Sequence, residues 1–375
     1  MSVRKRKWKV KSTGEERESW VVDYRDGEGS RVLRTFDRKK DADAFHATVR
    51  MEVDRGEHIA PSKSDTVAEA AERWIKRVEA EGRERSTVRQ YRQHVSLHIG
   101  PRIGAIKLAN LTAARVESFR DELLAELSRP LARKVLTSLK SILKVAKRGH
   151  VAASAFIGRE KRAPRLEVGK DIPSSAEIKR LLAAAACAPL RVRALLVVAI
   201  FTGLRASELR GLRWKDVDLA HGEVRVRQRA DRFNQIGAPK SESSVRTIDI
   251  GSRVVNVLKE WTLACPISEH DLVFPTSTGA IEHHKNMLGG LESVLVAAGL
   301  TDKGGAPKYG LHSLRHYFCS WCLGRRPEGR ELPLKVVQVL MGHSSIVMTG
   351  DRYGHIQPSR NDKSELAAAE AALWA

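Results

Sequence analysis

The chain has 375 residues, with 66 Lys and Arg against 45 Asp and Glu and a formal charge of +21. That length predicts two or three domains, and the charge favours a polyanionic partner held by salt-dependent counterion release. No run of about 18 apolar residues occurs and no apolar stretch follows the basic N-terminus, so the expectation is a soluble chain, neither secreted nor membrane-spanning; four cysteines in such a length form no disulfide framework and suit a reducing cytoplasm.

Residues 1–11 carry Arg4, Lys5, Arg6, Lys7, Lys9 and Lys11 with no acid, which reads as a basic arm or a groove-binding strand. Trp20–Tyr24 and Val32–Phe36 alternate like short strands joined by a turn at Asp26–Gly29, and the KKDADAFHATVRMEV run has helical spacing. Residues 1–60 are therefore expected to form a small α+β domain. Pro61 and Ser62 punctuate its end. Thr66-x-x-Glu69 opens a helix as a capping box, with Val67, Ala71, Trp74, Ile75 and Val78 on one face. Val88, Tyr91 and Val95 mark a second helix, Val116, Phe119, Leu123 and Leu127 a third, and Val135, Leu139, Ile142 and Ala146 a fourth that Gly149 ends. An all-α four-helix domain over residues 61–157 follows. The basic excess is densest here, 24 basic against 12 acidic residues over 61–170. Arg85, Arg89, Arg92, Arg133, Lys134 and Lys140 are expected phosphate contacts, which fix position without reading sequence.

Residues 158–173 lack periodicity and read as a linker that lets two domains clamp a duplex. Ser174-x-x-Glu177 then caps a helix, and a second apolar helix runs to Gly203. Glu223–Arg229 and Val245–Ile250 alternate as strands, with Lys240 in the loop between them. His312 and Arg315 are spaced i, i+3 and so project from one helix face. Residues 174–375 are expected to be mainly α with a small antiparallel sheet, closed by a short amphipathic helix around Leu366–Trp374 that serves oligomerisation.

Three boxes in this part carry a specific pattern: FTGLRASELRGLRW with Arg205, LHSLRHYF with His312 and Arg315, and LMGHSSIVMTGDRYGH with His343 and Tyr353. In this order and at these separations they resemble the tyrosine recombinase (phage-type integrase) family. The resemblance covers Ser174 to about Ser359 and, more loosely, the helical region before it. It implies the integrase catalytic fold, a helical core-binding domain and an arm-type DNA-binding domain at the N-terminus. The implied enzyme is a site-specific recombinase of a phage, prophage or other mobile element in a bacterial cytoplasm, needing neither ATP nor metal nor any cofactor. Implied partners are double-stranded attachment sites, a homotetramer on DNA, and an excision factor and a DNA-bending host protein as accessories, with no membrane.

The resemblance assigns Tyr353 as the nucleophile that forms a 3′-phosphotyrosine, storing bond energy for the rejoining step. Arg205 and Arg315 suit a phosphate clamp because a guanidinium stays charged and donates in a fixed plane. Lys240, in an APKSESSVRT segment like the family's lysine hairpin, serves the 5′ oxygen as general acid. His312 and His343 are expected to bond the phosphate and exchange the tyrosine proton, and Glu208 to orient the arginine. Gly350 is expected to loosen the segment that bears Tyr353. His312, His316, Cys319 and Cys322 fall on neighbouring turns like half a zinc site, but all four share one helix and the reading is core cysteine. The rival readings are a type IB topoisomerase and a catalytically silent DNA-binding regulator.

Overall fold

The computed structural model describes residues 2–9, 15–25, 29, 31–54, 64–146, 151, 156–158, 166–356, 367 and 370–372. Two compact units divide the chain, Met1–Arg159 and Glu160–Ala375. The expected turn before Gly29, the stop at Gly149 and most of the Leu366–Trp374 helix lie outside the described residues. No described helix is long and apolar enough to cross a membrane.

In the first unit, strands β1 (Ser2–Lys9), β2 (Glu16–Arg25) and β3 (Arg31–Phe36) form an antiparallel sheet in that order, covered on one face by helix α1 (Lys39–Asp54). The basic run at the N-terminus is thus a strand. Pairing of Val3 with Val22 and Lys5 with Trp20 puts Val3, Lys5 and Lys7 on the helix-covered face, since side chains alternate along a strand. There Lys5 pairs with Glu18 at 2.8 Å and lies over the Trp20 ring. Arg4, Arg6 and Trp8 point to the opposite face.

A second core in the same unit joins α2 (Val67–Ala80), α3 (Arg85–His94), α5 (Ala113–Glu126) and α6 (Arg129–Val145), with the short α4 (Gly100–Ile103) between α3 and α5. The predicted capping box forms: Thr66 Oγ1 accepts from Glu69 N at 3.2 Å, and Glu69 Oε2 accepts from Thr66 N at 2.7 Å. Every apolar position in the expected stripes is buried or packs against the core, and Ile99, Ile103, Leu108 and Leu111 from the α3–α5 connection complete it.

The second unit is built around α8 (Leu190–Thr202), which lacks a polar face and is surrounded by α7 (Ser175–Ala186), α10 (Ser252–Ala264), α11 (His284–Ala297) and α12 (Leu311–Leu323). Helices α9 (Ala206–Gly211), α13 (Leu334–Met341) and α14 (Ile346–Tyr353) complete the helical set. Strands β4 (Val217–Asp218), β5 (Glu223–Val226) and β8 (Arg246–Asp249) form one antiparallel sheet, and β6 (Arg229–Ala230) pairs with β7 (Ile236–Gly237) in another. The single strand expected over Glu223–Arg229 therefore breaks after Val226. Gln228 turns its side chain to the Gly211 carbonyl at 2.8 Å, which releases Arg229 to start the second hairpin. Residues 166–173 pack onto this unit, with Ile172 fully buried in its core. The α+β element, the helical bundle and the mainly helical part with its two small antiparallel sheets match the multidomain fold class expected from the sequence, which held one such sheet.

Glu177 links two distant parts of this unit. Besides closing its capping box with Ser174, it accepts from Lys308 Nζ at 2.7 Å and Tyr309 Oη at 2.8 Å, tying α7 to the segment that leads into α12. Burial alone would raise its pKa, but these donors outweigh burial and hold it at about 2. A carboxyl depressed in the folded state stabilises above its unfolded value and loses that contribution as pH falls through the folded one. The melting temperature should therefore fall between about pH 4.5 and pH 2 more steeply in the wild type than in Glu177→Gln; parallel melting curves for the two proteins would refute this.

Candidate active site

Helix α13 ends without intrahelical partners for its last carbonyls, as every helix does. Three guanidinium groups take them in order. Arg246 Nε donates to Leu340 O at 2.7 Å, Arg315 Nη2 donates to Met341 O, and Arg205 Nη2 donates to Gly342 O at 2.9 Å. Cations at a helix C-terminus are favoured by the negative end of its dipole. Arg315 also reaches Gly203 O at 2.7 Å, the residue that caps α8, so one side chain joins two helix ends. Both capping glycines are left-handed, with φ 60°. A Cβ on Gly203 would lie 2.4 Å from Phe318 Cδ1, and one on Gly342 would lie 3.0 Å from Arg246 Nη1. Glycine is needed at both for conformation and for space.

Glu208 sits between two of these arginines. Its carboxylate receives Arg246 Nη1 at 3.3 Å and Nη2 at 2.9 Å, Arg205 Nη1 at 2.7 Å, and Arg205 N at 2.9 Å. Burial would raise its pKa, but Arg246 first and then Arg205 pull it below the ordinary carboxylate value. Arg246 is the residue that sequence reasoning missed. The signal was present: strand alternation puts Arg246 on the same face as Ile248, and a cation on the apolar face of a strand needs a buried anion. Arg210 is a second missed cation; it is buried in α9 and holds the β6–β7 hairpin through Ala230 O, Asp231 O and Asn234.

Tyr353 closes α14 with 1% exposure, and α14 runs unbroken through Gly350. Its hydroxyl is hydrogen-bonded to His316 Nδ1. Burial, and then Cys319, push the phenol pKa upward, so it is protonated in the free protein. His343 Nδ1 meets Thr349 Oγ1 at 2.9 Å, one helical turn before the tyrosine. Burial and the surrounding arginines lower the His343 pKa to about 3, leaving it neutral. His312 is exposed, with its ring edge-on to His316 at 4.4 Å between centroids. The expected exchange of the tyrosine proton with His312 or His343 thus finds a different histidine on the hydroxyl. Cys319 and Cys322 are buried core residues, and among the described residues no group of His, Cys, Asp or Glu is arranged to hold a metal ion.

Arg205, Glu208, Lys240 and His343 line one small pocket of 110 Å³, together with Arg229, Ser244 and Met348. Arg205 keeps 32% of its side-chain surface exposed there, and Lys240 is exposed. Arg315 and Tyr353 do not line it. In the helical bundle, Arg89, Lys134 and Lys140 are exposed. Arg92 instead pairs with Glu79 at 2.9 Å, and Arg133 donates to Gly158 O at 2.8 Å, so both are committed within the protein.

The Phage integrase family model matches residues 174–360. A tyrosine recombinase XerC of Xanthomonas campestris pv. campestris is 30% identical over 70% of this chain and 76% of its own length. An integrase of Streptomyces ambofaciens is 26% identical over 90% of each chain. Among solved structures, the Tn1549 transposon integrase in complex with circular intermediate DNA has a similar fold, with a TM-score of 0.64 and 20% identity over 82% of this chain and 99% of that one.

Removing one partner of a buried ion pair costs about 3–5 kcal/mol, because the other charge is left uncompensated. Arg246→Met should lower the unfolding free energy of the second unit by about that much, and the double variant Glu208→Gln/Arg246→Met should cost clearly less than the two single changes added together. Denaturant unfolding checks both, and additive effects would show that the pair is not coupled.

Proposed function

This chain belongs to the phage integrase family of tyrosine recombinases, enzymes that cut and rejoin DNA strands, and on that premise we propose that it is the integrase of a phage, prophage or other mobile element. Its substrate is a pair of double-stranded attachment sites, synapsed by four copies of the chain in a bacterial cytoplasm, with an excision factor and a DNA-bending host protein as accessories. The N-terminal domain (residues 1–60) reads arm sites, the helical domain (61–157) grips the core site, and residues 174–375 do the chemistry.

The observation that carries this reading is the convergence of Arg205, Arg246 and Arg315 on the α13 terminus, twelve residues and one short helix before Tyr353. A phosphodiester needs a nucleophile, neutralisation of its non-bridging oxygens, and a proton for the departing sugar oxygen. Tyr353 is the nucleophile. Arg205, with three of its five N–H donors committed within the protein, directs the rest and its charge at the scissile phosphate, and Arg315 supplies the second cation. Lys240, across the pocket from Arg205, protonates the 5′ oxygen, and His343 donates to a non-bridging oxygen. Glu208 keeps Arg205 in place. Attack by Tyr353 releases a 5′ hydroxyl and leaves a 3′-phosphotyrosine, which a different 5′ hydroxyl then reverses without ATP.

On a nicked suicide duplex carrying the element's attachment core, wild type should give a covalent protein–DNA band on a denaturing gel and Tyr353→Phe should give none. A band that persists in Tyr353→Phe would move the nucleophile elsewhere, and binding without a band from either protein would favour a silent regulator.

DNA grip rests on the exposed basic residues: Arg85, Arg89, Lys134 and Lys140 of the bundle, with Arg4 and Arg6 on the face of the N-terminal sheet turned away from α1 and Lys5 and Lys7 on the α1 side. Each phosphate contact contributes about 0.9 to the slope of log K against log salt. Arg89→Ala and Lys140→Ala should each flatten that slope by about one in filter-binding titrations. Arg133→Ala should leave it unchanged and lower the melting temperature instead.

A further inference from the structure

His316 stands immediately after Arg315 on α12, 8% exposed, with its Nδ1 on the Tyr353 hydroxyl. With the ring proton on Nε2, Nδ1 accepts from the phenol. The ring is held by His312 edge-on along its own helix and lies 5.7 Å between centroids from the Tyr353 ring. His343 is engaged by Thr349, and His312 faces solvent. We propose that His316 is the base that takes the Tyr353 proton as the phenol oxygen attacks the scissile phosphate. The proposal rests on the reading of Tyr353 as nucleophile. It moves the proton-accepting role away from the two histidines of the family pattern.

The step balances without a co-reactant. The Tyr353 Oη–P bond forms, the P–O5′ bond breaks, and the phenol proton passes to Nδ1. The 5′ oxygen takes its proton from a separate donor, Lys240 in the mechanism above. On rejoining, the imidazolium returns its proton to Tyr353. The groups facing His316 are His312 and Arg315 from α12, Arg352 from α14, and Asp171 from the segment before α7. Burial first, and then His312, Arg352 and Arg315, hold its pKa at about 4, so the ring is neutral and able to accept at pH 7. Phenol acidity rises steeply as the oxygen bonds to phosphorus, which lets a weak base suffice in the transition state.

The test uses the full chain and the nicked attachment-core duplex. His316→Asn keeps an acceptor oxygen near the Nδ1 position but cannot take a proton. A positioned base contributes about 10²- to 10⁴-fold, so the single-turnover cleavage rate at pH 7 should fall at least about 100-fold. The wild-type rate should stay nearly level from about pH 6 to 8.5, while the variant's should climb about tenfold per pH unit as phenolate replaces the lost base. A duplex with sulfur in place of the scissile 5′ oxygen needs no proton on its leaving group. It should restore Lys240→Ala and leave His316→Asn slow. Melting temperature and DNA binding confirm folding, and His316→Gln serves where the Asn variant is unfolded. A wild-type rate and pH profile in a folded variant would overturn the proposal alone. Rescue of His316→Asn by sulfur would overturn it by moving His316 to the leaving group. A wild-type rate that itself climbs tenfold per pH unit would also overturn it. No covalent band from wild type would overturn the reading of Tyr353, and this proposal with it.

Discussion

Three guanidinium groups on three consecutive carbonyls at the end of α13 fix the backbone corner that leads to Tyr353. Buried cations are costly unless hydrogen-bonded and paired. Here the cost is offset by a helix terminus whose carbonyls lack partners and by one carboxylate, Glu208, that takes four N–H donors. The arrangement ties α9 and β8 through Glu208, and α8 and α12 through Arg315, to a single backbone corner. From that corner the chain enters α14 and reaches Tyr353. Three positive charges against one negative leave the cluster with surplus positive charge.

Burial first, and then the neighbouring positive charge, explains the state of the histidines. His343 and His316 are both buried near arginines, and both effects disfavour an imidazolium. They are acceptors and neutral donors at physiological pH, while Arg315, lowered to about 9 by burial and then by Arg205, remains charged. Charged arginines and neutral imidazoles therefore stand close together without competing for protons.

Much of this was legible in the sequence. The boxes around Arg205, His312–Arg315 and His343–Tyr353 were readable because the chemistry demands rare residue types at fixed separations. The helical bundle was readable because apolar positions repeat at helical spacing, with a capping box at its start. Arg246 was not, since a charged residue in a short alternating strand looks solvated until its anion is known. His316 receives no role from the sequence, since helical spacing places it beside Cys319 and Cys322 in a group that reads as core. The hydroxyl that claims it comes from a helix 37 residues away. The break of the strand after Val226 was hidden because Arg227 to Arg229 continue the alternation, and only the bond from Gln228 to Gly211 shows why the chain turns.

The buried position of Tyr353 has a chemical consequence. A phenol with 1% exposure, raised in pKa by burial and held by a weakly basic imidazole, is a poor nucleophile toward water-borne substrates. A DNA phosphate entering the arginine cluster changes both halves of that statement. In the proposed mechanism its negative charge offsets Arg352 and Arg315, which after burial and His312 depress His316, and it supplies the electrophile that makes the phenol proton labile. On the reading proposed above, base strength and substrate arrive together at Arg205 and Arg315, while Arg246 stays paired with Glu208 inside the protein. On that reading two of the arginines that fix the backbone corner in the free protein, Arg205 and Arg315, also bring the phosphate to Tyr353.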